Sequence, residues 1–290
     1  MREETLHALV LAGAPNRGKL AQAAPEPWEA LIPVGDRPMV LYVLDALRAA
    51  GSVESAVLVG PAELDPFLAG YPWGTGSAPA GTSPWLTRVD SGSSLMENLK
   101  RGLRVLPQDG FTLVVTGDAV LLNGEVLRRF LADCREADRR ANVRHEVFYP
   151  IVTRQGMERL LPGSRRTYVR LADGEFTGGN IFLMSPSVVD KAGRLLEEAV
   201  AWRKQPWRLA RLFGWRFLAA LVLKRLKIAT VERVVAERMG IAGKAIVTDA
   251  AEIGFDVDKP VDLDMARQRL GRGSAGGGFP AAAAPGPGNA

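Results

Sequence analysis

The feature that most constrains this chain is an apolar run that stops dead at a glycine and is followed by a helix and a second apolar run. Ala8, Leu9, Val10, Leu11 and Ala12 read as a short buried strand ending at Gly13. Met39, Val40, Val43, Leu44 and Leu47 then recur at helical spacing, with Pro38 at the start of the helix and Gly51 past its end. Ser55 to Gly60, SAVLVG, is the next strand. Strand, helix and strand in this order form a βαβ unit, which requires parallel pairing through a right-handed crossover. The fold class is therefore α/β around a parallel sheet.

Three stretches then stand out as chemistry-bearing. In the first, Gly13 opens a loop that carries Arg17 and Lys19, and the segment 14–27 holds three prolines, which predicts a long mobile loop over a site. A strand running into a small-residue loop with basic side chains is a way to present backbone N–H groups to phosphate. In the second, Phe111 to Leu122, FTLVVTGDAVLL, a buried strand delivers Asp118 just after Gly117. Ligands of open parallel sheets gather at that end, so Asp118 is a metal candidate, with capping of a helix near Gly124 as the alternative. In the third, Glu252 to Leu270, Ile253, Phe255 and Val257 alternate with Asp256 and Asp258. This predicts a short strand presenting both acids on one side, before a helix that begins at Pro260.

Between these stretches, Ser94 to Val105 reads as a helix with one basic face, and Val143 to Val152 as a strand. Tyr71 to Pro84 is rich in Gly, Pro and Ser and reads as an exposed connection. Arg165, Arg166 and Arg170 in SRRTYVR either bind an acceptor's phosphate or form a solvated strand face. Gly178, Gly179 and Asn180 either let a ligand approach closely or make a plain turn before the strand Ile181 to Met184.

The charge balance, 37 Lys and Arg against 32 Asp and Glu, suits an anionic partner without choosing one. Two histidines and one cysteine are too few soft ligands for a structural zinc site, so any metal should be held by carboxylates. Residues 187–240 read as helical, and within them 207–227 mixes tryptophan, phenylalanine and leucine with arginine and lysine. That stretch packs on the domain or a second subunit, making a homodimer, or else lies against a membrane or a lipid-linked acceptor. Its uncharged run is too short to span a bilayer, which needs about 20 residues. The basic residues do not interleave with aromatics in a recognised module, so nucleic acid is not expected as a partner. The opening MREETLHALVLAG lacks a cleavage-type pattern, and the expected location is the cytoplasm, with peripheral membrane association left open. From Gly271 to Ala290 the chain is mostly Gly, Ala and Pro and is expected to be a disordered tail after a domain spanning 1–270.

Taken together, LAGAPNRGKL, EALIPVGDRPMVLYVLDAL, VVTGDAVLL, GGNIFLMSP and DVDKPVDL resemble the nucleoside-triphosphate transferases of the glycosyltransferase-A-like fold, the superfamily of the molybdenum cofactor guanylyltransferases. The resemblance implies a Rossmann-like three-layer αβα sandwich with a helical C-terminal insertion. It implies nucleotidyl transfer from a nucleoside triphosphate to a phosphorylated or hydroxylated acceptor, with release of pyrophosphate and Mg²⁺ as cofactor. Leu11, Ala12, Gly13 and Ala14 match the family's nucleotide loop, Asp118 its Mg²⁺ ligand, and Asp258 the acid opening its last segment. Beside these, Ser94, Asn98 and Gly117 are assigned to nucleotide binding, Arg17 and Lys19 with Asp118 to catalysis, and Arg165, Arg166 and Asn180 to the acceptor. Two departures from the pattern stand out: Ala14 and Asn16 stand where glycines are usual, and Glu29 stands where the family places a lysine. Those departures keep two alternatives in view, a nucleotide-sugar glycosyltransferase of the same fold and a nucleotide-binding protein without turnover.

Overall fold

The computed structural model describes residues 6–69, 85–164, 166–193 and 213–273. Its centre is a sheet of nine strands. The first βαβ unit comprises β1 (Leu6–Leu11), α1 (Met39–Ala50) and β4 (Val53–Gly60), with β1 parallel to β4. Between β1 and α1 lies a small antiparallel pair, β2 (Pro33–Val34) and β3 (Arg37–Pro38). Helix α1 starts after Pro38 and is closed by Gly51 in the left-handed region, φ 71°, as the proline and glycine predicted. A short α2 (Asp65–Ala69) leads toward β5 (Leu86–Asp90), which adds in parallel to β4. Helix α3 (Leu95–Leu103) returns to β6 (Thr112–Thr116), parallel to β1 on its other side.

Past α4 (Gly124–Arg139) the sheet becomes mixed. The strand β7 (Val147–Thr153) is followed by α5 (Arg154–Leu160) and the hairpin β8 (Val169–Leu171) and β9 (Gly174–Gly178). Then β10 (Ile181–Met184) inserts antiparallel between β6 and β7. The strands run in the order β5-β4-β1-β6-β10-β7-β9-β8. After α6 (Trp215–Val222) and α7 (Ile228–Met239) comes β11 (Gly243–Thr248), parallel to β7, and then α8 (Ala251–Gly254) and α9 (Pro260–Gly273).

Alternation along the inner strands builds three layers. Ala8, Val10, Leu58, Leu113 and Val115 enter the cluster that holds Leu44, Leu47 and Phe130, which come from α1 and α4. Leu9, Leu11, Val57, Val59 and Val114 enter the opposite cluster with Leu99 and Leu103 of α3. Each of these strands is buried on both faces, the reason they read as continuous apolar runs. The mostly parallel sheet with helices on both sides is the Rossmann-like αβα arrangement.

Three details of the reading change. Residues 251–254 are a helical turn and 255–258 are extended chain without a strand partner, because Val257 N–H donates to the Asp118 carbonyl (3.3 Å) rather than to a ladder. Gly271 to Gly273 continue α9 and do not begin a tail. Among the residues read as helical, 223–227 form a turn, with Lys224 at φ 56°. The connection 71–84, Arg165, residues 194–212 and the rest of the tail lie outside the described residues.

Candidate active site

Two strand ends meet at the centre of the sheet. Gly117 N–H donates to the Leu11 carbonyl (2.9 Å) and Ala12 N–H to the Val59 carbonyl (2.8 Å), so Ala12, Gly13 and Gly117 lie side by side at the C-terminal edge. A side-chain carbon on Gly13 would sit 2.4 Å from Ser91 Cβ and 2.8 Å from Asn98 Nδ2, which no residue but glycine tolerates. On Gly117 it would meet Ala12 Cβ at 3.1 Å. These close approaches leave a cavity of about 510 Å³, lined by Leu11 to Pro15, Arg17, Trp28 to Ala30, Gly92 to Leu95, Asn98 and Thr116 to Asp118.

The loop after Gly13 is tied down rather than mobile. Asn16 N–H donates to the Pro27 carbonyl (2.9 Å), and Glu29 N–H to the Ala14 carbonyl (3.1 Å). Asn16 Nδ2 donates to the carbonyls of Ala24 (2.9 Å) and Glu26 (2.8 Å). The asparagine that replaces a glycine of the family pattern thus cross-links the loop from inside. Leu20, 1 % exposed, anchors the far side.

The opposite wall is the start of α3. The Ser94 hydroxyl caps that helix by accepting from Glu97 N–H (3.1 Å). Glu97 in turn accepts from Ser93 N–H and from the Ser93 hydroxyl, both at 2.8 Å, and pairs with Arg101 at 2.6 Å. Those bonds hold its carboxyl near 2, well below the usual range. Asn98, 5 % exposed, accepts from Gly92 N–H at 2.5 Å. The nucleotide-binding assignments Ser94 and Asn98 therefore shape the cavity wall while lining it.

Its floor carries unspent polar groups. Asp118 Oδ1 and Thr116 Oγ1, which line the cavity, and Asn180 Nδ2, which stands outside its lining, are buried without a well-formed hydrogen bond, although the Thr116 hydroxyl faces the Asp118 carboxylate and opposes its upward shift. They are near one another, since Thr116 N–H donates to the Asn180 carbonyl (3.0 Å). Asp118 does not cap α4; Asn123 does, accepting from Val126 N–H at 3.0 Å. Burial and the neighbouring Asp256 carboxylate push Asp118 up to about 6. Glu29 is pushed up to about 7 by burial, then by Asp118, Asp258 and Asp256. Four carboxylates thus share one neighbourhood, although among the described residues no three His, Cys, Asp or Glu side chains form a ready metal cluster. An orphaned, buried carboxylate oxygen at a cavity floor fits a Mg²⁺ ion, which takes one or two protein carboxylates and completes its shell with phosphate and water.

Arg166 does something else than expected. Its guanidinium pairs with Asp256, donates to the Asp256 carbonyl (2.7 Å), stands 3.6 Å from Asp262 and lies 4.9 Å over the Phe255 ring. It clamps the 255–262 segment beside Asp118 instead of facing the cavity. Arg170 pairs with Glu175 at 2.7 Å on the β8–β9 hairpin, so Arg166 and Arg170 serve different partners, and Arg165 lies outside the described residues. Lys19 precedes the turn at Leu20 and is outside the cavity lining, whereas Arg17 is within it. Asp258 is exposed at the rim, and its N–H donates to Asp262 Oδ2 at 3.4 Å. Trp28, Gly92 and Ser93 were not singled out in the sequence. The S-x-x-E spacing of Ser94 and Glu97, a helix-start signal that the sequence reading did not use, would have marked that wall.

Residues 8–202 match the family model described as the MobA-like NTP transferase domain. A solved hypothetical transferase from Thermus thermophilus is 36 % identical, with a TM-score of 0.71 over 90 % of this chain and all of that one. A 2-C-methyl-D-erythritol 4-phosphate cytidylyltransferase of Nocardia farcinica is 29 % identical over 135 residues. The match takes in 46 % of this chain and spans 54 % of that relative's length. The 4-diphosphocytidyl-2C-methyl-D-erythritol synthase of Anaerococcus prevotii shares the fold at 10 % identity, with a TM-score of 0.53 over 93 % of this chain and all of that one.

Proposed function

Because this chain belongs to the MobA-like NTP transferase family, we propose that it transfers a nucleoside monophosphate from a nucleoside triphosphate to a phosphorylated or hydroxylated small acceptor, releasing pyrophosphate. The observation that carries the reading is the cavity where β1 and β6 end, with the buried Asp118 Oδ1 and Thr116 Oγ1 in its lining and no well-formed hydrogen bond on either. Glycines 13 and 117 give the donor close access to backbone, and Arg17 is the cavity's cation for the β and γ phosphates. Ser94 and Asn98 form the wall expected to meet the base or ribose.

Asp118, with Asp258 at the rim, would hold Mg²⁺, which when bound offsets charge on the reacting phosphates. The protein's own contribution is positioning: the Gly13 loop fixes the triphosphate, and the floor keeps the α-phosphorus open to an acceptor oxygen in line with the departing pyrophosphate. Asn180, at the bend between β9 and β10, is the residue we assign as a donor to the acceptor, from just outside the cavity lining.

The test is release of pyrophosphate from each of the four nucleoside triphosphates with Mg²⁺ and a panel of sugar phosphates and polyols as acceptors, for the wild type and for Asp118→Asn. Cytidine triphosphate is the first donor to try, on the strength of the cytidylyltransferase relative. Acceptor-dependent release with one base, lost by at least about a hundredfold in the variant, supports the proposal. Release of a nucleoside diphosphate from a nucleotide-sugar, without pyrophosphate release from any triphosphate, refutes it in favour of glycosyl transfer.

A further inference from the structure

Basic residues occur throughout the chain, but their excess does not. Residues 199–231 contain eight Lys and Arg and no Asp or Glu, which leaves 29 cations against 32 acids elsewhere, a net charge of −3. The described part of this stretch, residues 213–231, is α6 with its two preceding residues, the turn after it and the first residues of α7. Trp215, Ala219, Val222 and Leu223 are spaced i, i+4, i+7 and i+8, so they line one stripe of the helix. That stripe faces solvent: Trp215, Val222 and Leu223 are 63 %, 71 % and 63 % exposed. Lys224, Arg225 and Lys227 follow at once, all exposed, while Leu226 between them is 2 % exposed.

The stripe is fixed to the body of the protein. The Leu226 carbonyl accepts from Ala172 N–H at 2.9 Å, and the Asp173 carboxylate accepts from Ile228 N–H at 2.7 Å, both at the turn of the β8–β9 hairpin. Of the acids nearby, Glu175 is shared by Arg154 and Arg170 and also faces Lys224, Glu232 pairs with Lys244, and Asp173 is held by Ile228 N–H. With Glu175 and Glu232 matched by their own arginines and lysine, Lys224, Arg225 and Lys227 outweigh Asp173 and the patch is positive.

We propose that this face docks on the surface of a bilayer that carries anionic lipid. An exposed tryptophan and aliphatic stripe beside a run of cations is the pattern of a helix lying in the interface, where Lys and Arg stems extend along the apolar layer and their charges reach phosphate. Eight residues cannot span the bilayer. Pairing of this face with the same face of a second copy would set like charges together, and nucleic acid would leave the apolar stripe without a role.

The experiment is co-sedimentation of the full-length protein with vesicles of phosphatidylcholine alone or mixed with phosphatidylglycerol, at low and physiological salt. The wild type is expected to bind only the anionic vesicles, less strongly as salt rises. Replacing Lys224, Arg225 and Lys227 with Gln should weaken binding roughly fivefold per cation, on the order of a hundredfold together. Val222→Ser with Leu223→Ser, which leaves the charge unchanged, should also release the protein from the vesicles. An unchanged melting temperature verifies folding of both variants. No binding of wild type to anionic vesicles overturns the proposal. So does full binding by the Val222→Ser, Leu223→Ser variant, since any polyanion would then serve. A lipid-free dimer dissolved by that same variant overturns it too, by assigning the stripe to a second copy.

Discussion

Glu29 is the residue at which this chain parts from its family pattern most sharply. It lines the cavity on the same side as Asp118, at a position where a lysine would meet the triphosphate. An acid there repels the donor's phosphates unless a cation stands between them. Above pH 7, where Glu29 is ionised, Glu29→Gln should therefore tighten triphosphate binding about threefold to tenfold, on the order of 1 kcal/mol, when titrated calorimetrically without divalent metal, and the gain should fade as pH falls below 7. Weaker binding under those conditions would mean that Glu29 contacts the donor as a hydrogen-bond acceptor. Gly13 and Asp118 were legible in the sequence because each sits where an apolar strand abruptly ends, and a parallel sheet puts such ends together. The role of Arg166 was not. Its partners Asp256 and Asp262 lie some 90 residues further on, and nothing in SRRTYVR distinguishes an arginine aimed at a ligand from one aimed at the protein.

At the level of elements, two charged groups hold the walls of the site. Asp262 is 2 % exposed, and Arg166 is the cation beside it. Arg166→Ala should cost about 3 kcal/mol in urea unfolding, because it strands a buried carboxylate, and adding Asp262→Asn should recover part of the loss. If Arg166→Ala leaves stability unchanged and instead weakens acceptor binding alone, the original assignment of Arg166 to the acceptor stands. Glu97 shapes the other wall. Because its carboxyl is held near 2 against an ordinary 4.5, its stabilisation is complete above about 4.5 and fades as pH falls toward 2. The acid limb of a thermal-unfolding profile should accordingly flatten in Glu97→Gln; an identical limb would show that the Ser93 bonds do not persist in solution. The β8–β9 hairpin and β11 escaped the sequence reading. Val169 to Leu171 is three residues long, and Gly243 to Thr248 carries only two large aliphatic residues, so neither displays a clear period.

Across the whole molecule the donor should act as a stabiliser, because the cavity joins β1, β6 and the start of α3 and exists only when all three are folded. At a hundred times its dissociation constant a nucleotide adds about 2.7 kcal/mol, which for a chain of this length is a rise of roughly 4–6 °C in melting temperature. One triphosphate of four should give that rise with Mg²⁺, and a scan that moves equally with all four would refute base selection. The parallel sheet was readable from the start, since strands buried on both faces have to be apolar throughout, while the three-layer order was implied by the family resemblance. The antiparallel insertion of β10 beside β6 was not, because pairing direction leaves no mark on composition.

Asn16 draws the loop over the cavity closed with two bonds from one side chain. The conformational freedom of that loop is thus surrendered once, when the chain folds, and not again at every encounter with a donor. Association should then be fast and insensitive to loop closure. In Asn16→Ala, stopped-flow binding should show a slower, two-step approach to a similar final complex, whereas unchanged single-step kinetics would mean the cross-link contributes nothing to preorganisation.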